Sequence, residues 1–331
     1  MRTEEKSAVK NSIGRAAFVA FSVLIQVVWL LFIIKRFNEY DTWISMFTRF
    51  IAIVVVLKLY GKHMNAAIKM PWIILILIWP IMGVSLYFLI GRSDITKGMR
   101  RHFERIDKEL DGKIWQDAKT FERLEKQNLS IANQCRYIWN YGKYPVYAGT
   151  EIEYYAEAAD GFEVQKEAMK QAERFIFMEY HAIEDAKAFQ GMKEILIQKA
   201  KEGVEVRIVY DDIGSVGFIN TDFIKRMEAE GIQCRVFNQV KPFLDMFMNN
   251  RDHRKITVID GKVGFTGGYN LADEYFNITH PYGQWKDTGI KLTGKAVRSL
   301  TVMFWKCGIP LKRRIWIMTD ICCERKLVSL K

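Results

Sequence analysis

At 331 residues, half of them hydrophobic, the chain has room for a membrane anchor and one or two domains. A formal net charge of +11 calls for an anionic partner, and nucleic acid and an acidic lipid surface are the two candidates. Five cysteines with no C-x-x-C pair, and no histidine at ligand spacing, indicate neither a zinc site nor a disulfide framework, and a reduced, metal-free protein is the plain reading.

Residues 1–15 are polar and basic, with Arg2, Lys6, Lys10 and Arg15. From Ala16 to Ile34 the run is apolar apart from Ser22 and Gln26, long enough to cross a hydrocarbon core as a helix, and it lacks the small-residue cleavage site of a secretory signal. Trp43 to Leu59 is interrupted by Arg49 and Lys58, so it reads either as a second span with a snorkelling lysine or as an interfacial helix. Trp72 to Ile90 is free of charge and is expected to span, kinked at Pro80 and Gly83. Arg92, Lys97, Arg100, Arg101 and Arg105 follow at once, which puts everything beyond them in the cytoplasm and leaves two or three spans open. The hydrophobic N-terminus favours lipid over nucleic acid as the anionic partner.

Phe103 to about Tyr141 has the composition of a mixed-charge helix. From Tyr147 an α/β pattern begins. Asp160 is placed to cap a helix running to about Glu173; Phe175–Ile183 is a strand; Ala188–Glu202 is a helix closed by Gly203. Val204–Tyr210 is a strand, Thr221–Glu230 a helix ended by Gly231, and Ile232–Phe237 another strand. Such alternation implies right-handed crossovers and a largely parallel sheet with helices on its faces. Val240 to Met248 is apolar for a loop, which suits membrane contact, acyl-chain contact or ordinary packing.

The densest chemistry lies between Asn249 and Asn270. β-branched Ile256, Thr257, Val258 and Ile259 mark a strand, on which His253 and Lys255 share a face. Asp260-Gly261 is a hairpin signal, and Lys262–Thr266 returns as the partner strand. A two-residue turn sets Ile259 against Lys262, Lys255 against Thr266 and His253 against Gly268. Gly267, Gly268 and the amide of Asn270 then lie beside a nucleophile and a cation, a suitable phosphate site. The same arithmetic puts Asp260 at the far end of the hairpin, as a turn-fixing residue. His181 and Glu179 alternate on one strand face, either near the phosphate or as ordinary half-buried residues. Asp211-Asp212 ends a strand where ligands gather in α/β sheets, with capping the plainer role.

His253-x-Lys255-x4-Asp260 followed by Gly267-Gly268-x-Asn270 resembles the phospholipase D superfamily motif, and the wording from His253 to Gly268 resembles bacterial cardiolipin synthases. Many superfamily members carry serine where this chain has Gly268. Met70-Pro71-Trp72 to Gly91-Arg92, Trp285-Lys286-Asp287-Thr288 and Gly294–Phe304 follow the same family. The resemblance implies a phospholipase D-like α/β fold behind a membrane anchor. It implies an activity as well, phosphatidyl transfer between two phosphatidylglycerol molecules through a phosphohistidine, with no metal or organic cofactor. His253, Lys255 and Asp260 would form the catalytic motif, Gly267, Gly268 and Asn270 would bind phosphate, and Asp287 would orient His253. The implied partners are an anionic phospholipid and the cell membrane, with multi-pass anchoring and a cytoplasmic catalytic part; nucleic acid is not among them.

The family's chemistry uses two His/Lys motifs, one histidine attacking phosphorus and the other serving the leaving and entering alcohols. Of histidines 63, 102, 181, 253 and 280, only His253 has lysine at +2. The chain therefore divides into a 1–92 anchor, a 93–146 helical linker, a 147–306 catalytic half-domain and an atypical 307–331 tail. Resemblance ends at Phe304, which reads as a truncated product with a frameshifted tail; a single-motif protein that acts as a homodimer is the alternative, and an inert remnant is a further one. A half-domain of this kind is expected to leave an apolar face uncovered, to be met by a second copy or a complementing half.

Overall fold

The computed structural model describes residues 42–91, 97–239 and 250–307, with scattered positions between 20 and 35. Most of the expected 16–34 span, the 240–248 loop and the 308–331 tail lie outside the described residues. Two compact units emerge, one holding residues 97–239 and 252–307, the other residues 42–91.

In the smaller unit, α1 (Thr42–Tyr60), α2 (Ala66–Ile78) and α3 (Pro80–Leu86) are followed by a π-helical turn at Tyr87–Gly91. The run 72–90, expected to be kinked at Pro80 and Gly83, is divided at Trp79 into two helices. Proline disfavours the helical region for the residue before it, and Trp79 leaves the helix at φ −127°, ψ 83°. The chain then turns back sharply, so that a Cβ at Gly83 would run into the backbone of Ile76. Ala52, Val55, Leu59, Ile73, Ile76 and Tyr87 form the core of this helical hairpin. Among the described residues no helix is long and apolar enough to cross a membrane.

The larger unit opens with three helices, α4 (Lys97–Leu110), α5 (Ala118–Gln127) and α6 (Leu129–Gly142), in place of one continuous 103–141 helix. Gly112 breaks the run with φ +72°, and Asn128 ends α5 and caps α6 by accepting from Ile131 N at 3.1 Å. A seven-stranded sheet follows, built from β1 (Thr150–Tyr155), β2 (Phe175–Tyr180), β3 (Glu205–Asp211), β4 (Gln233–Phe237), β5 (Lys255–Ile259), β6 (Val263–Gly267) and β7 (Gly289–Gly294). Its order is β1-β7-β6-β5-β2-β3-β4.

The sheet is mixed but not largely parallel. Among the described strands, β2–β3 and β3–β4 are the parallel pairs; β5 runs against β2, β6 against β5, and β7 against both β6 and β1. Crossover helices α8 (Lys187–Lys201) and α10 (Phe223–Ala229) deliver the parallel strands. A hairpin joins β5 to β6 and forces the opposite direction. Helix α7 (Ala158–Lys170) carries β1 to β2, yet β1 takes the far edge.

Helices cover both faces, as expected. On one face, α7, α8 and α10 bury Ile176, Met178, Tyr180, Ile208, Tyr210, Ile259 and Phe265. On the other, α11 (Val297–Lys306) covers Phe175, Phe177, Val209, Ile256 and Val258 with Leu300, Phe304 and Trp305. At 25 cal/mol per Å², each fully buried large side chain contributes about 1.5–3 kcal/mol, so these two layers hold the sheet that carries the site.

Candidate active site

The β5–β6 hairpin sets the site's geometry, with a register one residue away from the sequence expectation. Asp260 and Gly261 both adopt positive φ, 53° and 68°, and Lys262 N donates to Ile259 O at 3.0 Å. Lys262 stays in the turn, so Ile259 pairs with Val263 and Ile256 with Thr266. The expected partner of Lys255, Thr266, instead donates its hydroxyl to Lys255 O at 2.9 Å.

His253 lies just before β5 and is exposed. Lys255 opens β5, is 6% exposed, and donates from Nζ to His253 O at 2.9 Å. Partial desolvation, then the charges of Lys255 and His181, hold the His253 imidazole below its ordinary range. Burial lowers Lys255 too, against the opposing charges of Asp287 and Asp252. A neutral imidazole beside an ammonium is the form a nucleophile needs for attack on an anionic phosphodiester.

His181 joins them. Its ring centroid is 4.6 Å from that of His253, at 60°, and its Nδ1 lies 2.7 Å from Asp252 O. The strand ends at Tyr180, so His181 does not share a site with Glu179 as the alternation suggested. Glu179 faces α11, where it meets Asp252, Arg254 and Cys307. Arg254 Nε lies 2.6 Å from Glu179 Oε1 and 3.0 Å from Asp252 Oδ1. The guanidinium also donates to Cys307 Sγ at 2.6 Å and Met303 O at 3.3 Å, and Cys307 Sγ donates to Asp252 Oδ2 at 2.9 Å. Burial pushes Glu179 well above the carboxylate range, reinforced by Asp252 and opposed by Arg254. Burial opposes the Asp252 charge, but Glu179 and Arg254 outweigh it and bring Asp252 to about 2. The network ties the segment before β5 to the end of α11 and fixes the backbone from which His253 projects.

This network was missed in the sequence. Its signal was the same alternation that placed His253 and Lys255 together, since 252 and 254 then share the other face. Glu179, Asp252 and Cys307 have the spacing of a metal-ligand group, and the Arg254 guanidinium already lies against all three.

Asp260 does not reach this cluster. Its carboxylate, 7% exposed as a residue, accepts from Glu173 N at 2.9 Å, Arg174 N at 2.8 Å and Phe175 N at 2.9 Å. It latches the hairpin turn to the start of β2. Asn270 is likewise committed: Oδ1 accepts from Ala182 N at 3.1 Å and Nδ2 donates to Tyr275 OH at 2.8 Å. Asp287 makes no hydrogen bond to His253; it accepts from Thr288 N at 2.8 Å and faces Lys255. A Cβ on Gly268 would collide with the Asp287 carboxylate, and one on Gly267 with Thr288 O. The space that serine would take at 268 belongs here to Asp287. Asp211 caps α9 (Asp212–Ser215) by accepting from Gly214 N at 3.1 Å, and also accepts from Asp252 N at 3.0 Å.

Below Lys255, on the α7 face, Gln165 Nε2 donates to Thr257 Oγ1 at 2.8 Å and Tyr180 OH at 3.0 Å, while Tyr269 OH donates to Gln165 Oε1 at 2.8 Å. All four residues are buried. A fully paired polar core of this kind fixes one arrangement of the strands beneath the site.

Residues 166–287 match the family model described as "Cardiolipin synthase, PLD-like domain". That segment is a phospholipase D-like domain. It begins within α7 and ends at Asp287, so it contains His181, His253, Lys255, Asp260, Asn270 and Asp287. A Streptococcus mutans protein carrying no functional name is 36% identical over 250 residues, covering 75% of this chain and 54% of its own. A protein named cardiolipin synthase from Halalkalibacterium halodurans is 30% identical over 279 residues, covering 81% and 52%. Among solved structures, the phospholipase D family member Nuc from Salmonella typhimurium aligns over 48% of this chain and 93% of its own, at 16% identity and a TM-score of 0.37. The chain spans about half the length of the curated relatives it matches.

Proposed function

We propose that the phospholipase D-like domain supplies half of a phosphatidyl-transfer site acting on phosphatidylglycerol at a membrane surface, with cardiolipin as product. The observation that carries this reading is the exposed, neutral-biased His253 held beside Lys255. His253 attacks phosphorus to form a phosphohistidine, and Lys255 balances the charge of the phosphoryl oxygens. Gly267 ends the return strand of the same hairpin and Gly268 follows it, where the Asp287 carboxylate packs over Gly268, so phosphate approaches from the His253 and Lys255 side. Asp287 acts through Lys255, to which its charge is directed. The name of the Halalkalibacterium halodurans relative supports the choice of lipid, and the net charge of +11 suits an anionic membrane.

His253 is the one histidine with lysine at +2, so the acid that serves the leaving glycerol comes from a second His-x-Lys motif, on a second copy or on a complementing half. Ile152 and Tyr154 on β1, each 65% exposed, fit a surface awaiting such a partner. The test adds labelled phosphatidylglycerol to the full chain in detergent, alone and with a separately expressed second half from a relative, beside His253→Ala. Cardiolipin formed by the parent alone supports two copies completing the site; formation only with the added half supports complementation. Product from His253→Ala equal to the parent's overturns the assignment.

A further inference from the structure

Charge in the smaller unit has one sign and gathers at one end. Between Thr42 and Gly91 the chain has no aspartate or glutamate, and its lysines and arginine are Arg49, Lys58, Lys62 and Lys69. All but Arg49 lie where α1 turns into α2. Lys69 Nζ reaches back from α2 to donate to Tyr60 O at 3.0 Å and Lys62 O at 3.2 Å, a cation on the closing carbonyls of α1. From Met70 to Gly91 no residue is charged. Along that stretch α2 leads away from the basic turn for about 20 Å, at 1.5 Å per residue. At Trp79 the chain reverses, and its return is recorded level by level. A Cβ at Gly83 would lie 2.5 Å from Ile76 Cα, the Tyr87 and Trp72 rings meet with centroids 5.7 Å apart, and a Cβ at Gly91 would lie 2.9 Å from the Trp72 ring. Gly91 is therefore about halfway back to the basic turn, and Arg92 resumes the charge. The reversal leaves both backbone groups of Trp79 paired, N with Leu75 O at 2.9 Å and O with Gly83 N at 2.6 Å, as a turn away from water requires.

We propose that α2, α3 and the turn after them form a re-entrant membrane limb. It enters a bilayer with anionic headgroups from the side on which the α1–α2 turn lies, reverses at Trp79 and Pro80 inside the hydrocarbon, and returns to the same side. A reach of about 20 Å falls short of a hydrocarbon core of about 30 Å, so the limb returns instead of crossing. Lys58, Lys62 and Lys69 stand among the headgroups, where an all-positive end meets acidic lipid. Arg49 is the exception. It lies on α1, outside the limb, about 16 Å from the turn at 1.5 Å per residue, and its long side chain runs along the helix toward water. The inference does not depend on the chemistry of His253.

A hairpin lying flat on the membrane would keep one polar face, and this one has none. Ile68, Ile74 and Leu77 point to different sides of α2, yet they are 55%, 50% and 56% exposed. Phe50 and Leu57 extend the apolar exterior over α1, and Trp79 carries it to the reversal. A helix that is apolar all round belongs in hydrocarbon or in a large core, and the core of this unit is the small one between α1, α2 and Tyr87.

Sidedness decides the matter, because a span over 72–90 would separate the α1–α2 turn from Lys97, whereas the re-entrant limb keeps them together. The full chain, in sealed bacterial membrane vesicles of either orientation, is treated with a membrane-impermeant maleimide and mapped by peptide mass. Gly61→Cys reports the turn, Ile78→Cys the reversal, and the native Cys135 on α6 the larger unit. Gly61→Cys and Cys135 should react from the same vesicle orientation and neither from the other, while Ile78→Cys should react in neither until detergent is added. An impermeant amine reagent repeats the comparison on the unaltered chain, where exposed Lys58 and Lys119 should react from one orientation together. Labelling of the turn from the side opposite Cys135, or of Lys58 opposite Lys119, would show a crossing limb and overturn the proposal. Labelling of Ile78→Cys in sealed vesicles would show a hairpin lying flat and overturn it as well.

Discussion

Asp260 occupies the third position of the motif, and its replacement separates a structural from a chemical role. Three backbone amides converge on its carboxylate at 2.8–2.9 Å. A hydrogen bond to a charged group contributes about 1.5–3 kcal/mol net. The Phe175 amide is buried, whereas those of Glu173 and Arg174 are partly so and regain water when the acceptor is lost. Asp260→Ala should therefore cost about 3–5 kcal/mol, well below the simple sum, including about 1 kcal/mol for alanine at φ +53°. Asparagine tolerates that backbone and keeps one oxygen for Arg174 and Phe175, but it presents an amide to Glu173 N; about 2 kcal/mol is expected. Hydrogen exchange of the 173–175 amides in the full chain, with thermal melts beside it, reads both effects. Protection at 173–175 should fall in the order parent, Asp260→Asn, Asp260→Ala. An Asp260→Ala chain with parental protection and melting that nevertheless loses tungstate binding would refute the latch.

Glu179→Gln probes the buried acid pair. The folded Glu179 pKa is raised above its ordinary 4.5, so the folded chain holds a proton that the unfolded chain releases, and stability from this group falls as pH rises above about 4.5. Glutamine imitates the protonated form: the variant should match or exceed the parent at pH 8 and lose that slope in pH-dependent melts, while a variant weaker than the parent at pH 8 contradicts the assignment. Asp252 has the opposite sign. Its depressed pKa of about 2, against 3.8, gives stability that is complete above about 4 and fades toward pH 2, about 2 kcal/mol in all, and Asp252→Asn should remove that acid limb. Gly268→Ser forces a side chain onto the Asp287 carboxylate and should destabilise by about 1–3 kcal/mol; a neutral result would mean that Asp287 has room to move. Gly214→Ala drives a Cβ into the backbone oxygen and ring of His181 and should destabilise by about 1–3 kcal/mol in thermal melts; parental melting would mean that the His181 segment has room to shift.

The strands and helices of the larger unit were legible because their signals are local. Helix α8 ends with Gly203 at φ +90°, and the β-branched run 256–259 forms β5. Strand order was not legible. β1 and β2 flank one helix in the chain, yet β7, β6 and β5 lie between them, and nothing in 150–180 records that. The hairpin register slipped by one because Asp260-Gly261 reads as a two-residue turn, whereas Lys262 stays in it. His253 and Lys255 were found from the i, i+2 rule; His181 was weighed but could not be assigned, because its contact with His253 depends on the chain bending after Tyr180. The apolar run 72–90 met the length rule for a span, and the break that Pro80 imposes at Trp79 was legible in it, but the sharpness of the turn was not. Asp287 was expected to orient His253; its carboxylate accepts from Thr288 N, and its charge bears on Lys255.

His253 as nucleophile is tested most directly with a substrate that needs no acid. Bis(p-nitrophenyl) phosphate releases p-nitrophenolate, a leaving group stable without protonation, so half a site suffices for the first step. Intact-mass and peptide analysis of the full chain, quenched in denaturant and kept at alkaline pH where the phosphorus–nitrogen bond survives, should find one p-nitrophenyl-phosphoryl group on the peptide containing His253, formed with one equivalent of p-nitrophenolate, and none in His253→Asn. A folded parent that forms no adduct, or an adduct that persists in His253→Asn, would contradict the account.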